Sequence, residues 1–170
     1  MKSNVRKYLA LFFAINLYFF IHEGAHLVFA MAFGVFKEIR FLGLGMQIAI
    51  TDPGLLTNFQ FAVFNIAGAI SSLTTAYILV ALTKRICKSS NAVFKAICYY
   101  STVALLFTDP IYLSILCGFF GGGDMNGIIM FGISEWAVRL MFAAVLVFNI
   151  CLFFRSVYPA YKTAFKKVAM

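Results

Sequence analysis

Residues 8–36 read YLALFFAINLYFFIHEGAHLVFAMAFGVF, an apolar run broken only by Asn16 and by the cluster His22-Glu23-Gly24-Ala25-His26. The run exceeds the roughly 20 residues that cross a hydrocarbon core of about 30 Å. In lipid such a segment must be helical, because no water is present to satisfy its backbone. It therefore predicts a first transmembrane helix with a polar cluster inside it. Working outward, comparable runs at 56–83, 96–118 and 128–154 predict three more. The expected fold is an all-α membrane protein of about four transmembrane helices, with residues 1–170 forming one integral-membrane domain.

Composition points the same way. The chain is 63% hydrophobic and 12% charged, with 21 Phe and 8 Tyr, where a soluble domain carries about 25% charged residues. The opening, MKSNVRKYLALFF, has the basic start of a signal peptide, but its apolar stretch is longer than a cleavable one, so it is expected to be retained. Cys87, Cys98, Cys117 and Cys151 are scattered without metal-binding or disulfide spacing and read as small apolar residues.

A net charge of +8 suggests nucleic acid until its distribution is considered. Eleven of the fourteen basic residues lie in three segments that four spans would put on one side of the membrane. They are Lys2, Arg6 and Lys7; Lys84, Arg85, Lys88 and Lys95; and Arg155, Lys162, Lys166 and Lys167. Such asymmetry is topological and predicts cytoplasmic termini in a multi-pass protein of a prokaryotic cell membrane. The tail is expected to touch anionic lipid as well. No nucleic-acid partner is expected.

Two breaks between spans carry information. KEIRFLGLGMQIAITDPGLL (37–56) is too short to span and too apolar for a solvated loop, so a short re-entrant or extended segment is expected after the first helix. CGFFGGGDMNGI (117–128) holds a glycine run that lets the backbone turn sharply before Asp124. Asp109-Pro110 within the third span predicts a kink there.

His22 and His26 are the only histidines in the chain. At i and i+4 on a helix their nitrogens can converge on one metal, and Glu23 is offset enough to act as a base on an activated water. Chance placement of this pattern in this composition has a probability of about 2 in 10,000, so the motif is specific here. An uncompensated Glu at bilayer depth costs about 3 kcal/mol, and a divalent cation would offset that. A catalytic zinc site needs a third protein ligand. Asp52 reads as a turn residue, and Glu38 and Glu135 as solvated. Asp109, level with His22 along the helices, and Asp124, beyond the glycine hinge, both remain.

HEGAH in an apolar helix near the start resembles the zinc motif of the site-two proteases, intramembrane zinc metalloproteases. NIAGAISSL (65–73) resembles their second signature through Gly68 and Ser72, with Ala69 where a proline is usual. GGGDMNG (121–127) resembles the third, although Met125 and Asn126 separate Asp124 from Gly127. The resemblance implies one Zn²⁺ per chain held by His22, His26 and Asp124, with Asp109 as the alternative ligand. It also implies Glu23 as the catalytic base and near-site roles for Asn65, Gly68 and Ser72. The expected function is an intramembrane endopeptidase that cuts a membrane-protein substrate in or near a transmembrane helix. Segment 41–50 would offer a strand edge to hold it. No recognition domain is evident, so selection is expected from the bundle or a partner protein. The competing expectations are a catalytically inactive relative and a small metal or proton transporter built on the same polar cluster.

Overall fold

The computed structural model describes residues 3–43, 45–119 and 123–166. Lys2, Lys167, Gly121 and Gly122 lie outside the described residues. Helix α1 (Ser3–Ala32) ends before the predicted limit at Phe36. Gly34 takes φ +70, the Val35 amide donates to the Ala30 carbonyl at 3.0 Å, and the Gly34 amide to the Met31 carbonyl at 3.1 Å. This paired closure ends a helix around a left-handed glycine, and Val35 packs in the same cluster as Ala30. Phe36 then opens strand β1 (Phe36–Leu42), which pairs antiparallel with β2 (Gly45–Ile50), Arg40 lying opposite Gln47. The extended segment expected after the first helix is this two-stranded hairpin.

Helix α2 (Asn58–Ile86) starts at a reciprocal cap between Thr57 and Gln60, after a turn in which the Gly54 amide donates to Asp52. Helix α3 (Ala92–Ile111) starts where Asn91 Oδ1 accepts from the Val93 and Phe94 amides. Proline at 110 removes the amide that would bond the Leu106 carbonyl. Asn149 Nδ2 donates to that carbonyl instead, at 2.7 Å, and Asn149 Oδ1 accepts from the Tyr77 hydroxyl at 3.0 Å. One fully buried amide thus ties α2 and α3 to α5 (Glu135–Leu152) and replaces the bond that proline deletes. Beyond Pro110 the helix widens into a π turn at Tyr112–Leu116 and tightens at Cys117–Phe119. Arg139 of α5, paired with Glu135 at 2.6 Å, donates to the Ser114 and Ile115 carbonyls that this irregular winding frees.

The chain next forms a short helix α4 (Asp124–Ile128) that packs against α2. The fourth membrane helix was expected from 128. It starts instead at Glu135, because Gly132 (φ +80) breaks the chain and Ser134 caps α5. It also passes the expected limit at 154, running through a π turn (Phe153–Val157) into α6 (Tyr158–Lys166). Among the described residues four helices, over 4–32, 58–86, 92–119 and 135–166, are long and apolar enough to cross a membrane. The chain is an all-α membrane protein with one small hairpin. Helices α1, α2 and α3 pack on one another, α5 packs on α3, and the hairpin lies against α1.

The Asn149 bridge yields a test. Asn149→Leu strands the buried Leu106 carbonyl, at about 1–3 kcal/mol, and removes the acceptor of the exposed Tyr77 hydroxyl. The melting temperature in detergent is expected to fall. The fall should be smaller in a Pro110→Ala background, where residue 110 regains its amide. An equal fall in both backgrounds would refute the bridge.

Candidate metal centre

His22 and His26 sit one turn apart on α1 and are both buried, with their Nε2 atoms 3.1 Å apart. What lies behind each ring orients it. His22 Nδ1 is 3.1 Å from Asp109 Oδ1, and His26 Nδ1 is 2.7 Å from the Phe64 carbonyl of α2. A carboxylate and a carbonyl only accept, so each Nδ1 donates its proton backward, and in the neutral ring Nε2 is left as the coordinating atom. Asp124 reaches the same point, with Oδ2 at 3.2 Å from His22 Nε2 and Oδ1 at 3.7 Å from His26 Nε2. With both rings neutral, two nitrogens and a carboxylate converge as acceptors, an arrangement that a cation satisfies. Two ligands held about 2.0–2.1 Å from a tetrahedral ion stand roughly 3.3 Å apart, close to the separations seen here. His22, Glu23 and His26 also hold ligand atoms within 4.8 Å of one another, a group able to bind a metal ion.

The two candidate aspartates thus occupy different positions. Asp109, 1% exposed, stands behind His22 on the far side from the cluster, and its Oδ1 also accepts from the Tyr18 hydroxyl at 2.6 Å. It buttresses an imidazole rather than facing the other donors. Asp124 is brought in by Gly123, whose φ of +44 admits the turn and whose place against the Tyr112 hydroxyl leaves no room for a Cβ.

Glu23 lies beside the cluster, and its Oε2 accepts from the Ile48 amide of β2 at 3.0 Å. Among the three near-site candidates, Gly68 is closest. A Cβ there would stand 2.6 Å from both His22 Nε2 and His26 Nε2, so a side chain at 68 would occupy the space where the lone pairs meet. Asn65 instead donates to the Phe61 carbonyl of its own helix at 2.7 Å and packs against Gly127. Ser72 is fully buried one turn beyond Gly68, and its hydroxyl has no partner. Sequence reasoning missed Tyr18, although Tyr18, His22 and His26 share one helical face at i, i+4 and i+8. The Phe64 carbonyl and the Ile48 amide left no side-chain signal to find.

The cluster opens onto a cavity of about 540 Å³ bounded by α1, α3, β2 and Asp124, with Gln47, Thr108 and Tyr112 on its walls. Acid, base and lone-pair donors thus meet at a water-accessible void inside an apolar bundle.

Metal uptake by the purified chain distinguishes these roles. Gly68→Ala is expected to weaken it at least tenfold by crowding both nitrogens, and Asp109→Asn about 10–100-fold, as loss of an orienting partner does. Ser72→Ala should leave it unchanged. Undiminished binding by Gly68→Ala would contradict the arrangement. Comparison with family models, curated proteins and solved structures finds no match to this chain, so its function is argued from the site itself.

Proposed function

We propose that this chain is an intramembrane zinc endopeptidase of the site-two protease kind, hydrolysing a peptide bond in or beside a transmembrane segment of another protein. The observation that carries this reading is the convergence of two imidazole nitrogens and one carboxylate, with a second carboxylate alongside. His22, His26 and Asp124 would hold the ion, leaving a fourth position for water or substrate. Bound there, Zn²⁺ would supply Lewis acidity toward water and toward a peptide carbonyl.

The chain's own groups do the remaining work. Glu23 takes a proton from the attacking water and returns it to the leaving amine. The hydrogen bond from the Ile48 amide fixes its carboxylate. Asp109 and Tyr18 hold the His22 ring from behind, and the Phe64 carbonyl holds His26. A structural site has no need of a base beside its ligands, so Glu23 favours hydrolysis over a bracing role for the ion.

Hairpin geometry supports a peptide substrate. Strand β2 has β1 on one side only, and its Ile48 amide turns from that partner toward Glu23. Gln47 and Glu23 border the same cavity. A transmembrane helix protects its peptide bonds by internal hydrogen bonding, so it must unwind before hydrolysis. An extended segment laid along the free edge of β2 would be held open beside the base. In this reading the basic residues keep both termini cytoplasmic.

The direct test uses the chain in proteoliposomes with single-span substrates. Glu23→Gln should retain zinc at the native stoichiometry yet cut at least about 100-fold more slowly, the contribution expected of a general base. Cleavage at the native rate by Glu23→Gln would rule out the mechanism. Zinc-dependent proton flux with no cleavage of any substrate would favour a transporter.

A further inference from the structure

At the opposite end of the bundle, the start of α1, the start of α3 and α6 enclose a cavity of about 280 Å³ that the proposed hydrolysis does not use. Three cations border it: Arg6, Lys7 and Lys162. Two are seated on aromatic walls, the Arg6 guanidinium 5.6 Å from the Phe165 ring centre and the Lys162 ammonium 5.5 Å from that of Tyr158. Tyr99 lines the void between them.

No acidic side chain can neutralise these charges. None of the six acidic residues falls within 1–22, 53–108 or 136–170, the stretches that build this end of the molecule. Among the described residues the ion pairs made by arginine or lysine join Arg40 to Glu38 and Arg139 to Glu135, and neither touches this cavity. Three like charges gathered around one void repel one another unless an anion enters it.

Depth identifies the source of that anion. Arg6, Lys7 and Lys162 all lie near the ends of membrane-crossing helices, where basic and tyrosine side chains meet the headgroup layer. A basic pocket between helix ends at this level fits a phosphate with acyl chains running down the adjoining apolar surface. Exposed Tyr8 and Leu9 offer such surface beside it on α1.

We propose that this cavity binds the phosphate headgroup of an anionic phospholipid. The site is independent of the metal centre and would pin α6 against α1 and α3.

The test is native mass spectrometry of the full chain extracted from mixed phosphatidylcholine–phosphatidylglycerol membranes. Wild type is expected to retain phosphatidylglycerol in preference to phosphatidylcholine. Arg6→Gln/Lys162→Gln should lower that retention at least about tenfold, whereas Lys84→Gln/Arg85→Gln removes equal charge from exposed positions and should not. Ala96→Leu fills the void while keeping every charge, and should also lose the lipid. Excess inorganic phosphate should not displace it. Equal loss from both charge pairs, full retention by Ala96→Leu, no headgroup preference in wild type, or displacement by inorganic phosphate would each overturn the proposal.

Discussion

Two imidazole Nε2 atoms, each on a ring held from behind by an acceptor at its Nδ1, face one another at 3.1 Å inside an apolar bundle. The residues around them hold that geometry. Asp109 and the Phe64 carbonyl fix the rings, Gly68 removes the side chain that would fill the gap, and Gly123 turns Asp124 inward as a third acceptor. A buried polar group in lipid is costly unless it is partnered, so these contacts support one another.

The same logic explains the irregular backbone. Pro110 follows Asp109 directly, which puts a missing amide in the helix next to the cluster. Asn149 fills the gap from α5, and Arg139 collects the carbonyls freed by the π turn beyond. The irregular winding around Pro110 is thus matched by polar side chains reaching from α5. Irregular backbone at membrane depth is tolerated only on those terms.

Much of this was legible in the chain. Apolar runs marked the four membrane helices, since length and hydropathy act locally. The pairing of His22 with His26 followed from helical periodicity. The helix ends were less legible. A run of apolar residues continues across Gly34 into β1, and only the left-handed glycine separates helix from strand. Likewise Ile128 to Ile133 looked like membrane helix, but Gly132 and Ser134 move its start to Glu135. The sequence also left Asp109 and Asp124 equal as partners of the histidines. Both do reach His22, on opposite nitrogens, and that distinction depends on packing between α1, α3 and α4 rather than on any local pattern. Contacts made by backbone groups, such as the Ile48 amide on Glu23, have no residue code at all.

Charge divides the molecule. Acidic groups gather at the histidine cluster, around the hairpin and at the start of α5, while the charged residues lining the cavity between the helix ends are all cations. The account is tested most directly by X-ray absorption at the zinc edge on protein purified without chelators. It predicts one zinc per chain in a shell of nitrogen and oxygen at about 2.0–2.1 Å. A chain that holds no zinc and takes none up, or a shell containing sulfur at about 2.3 Å, would contradict it.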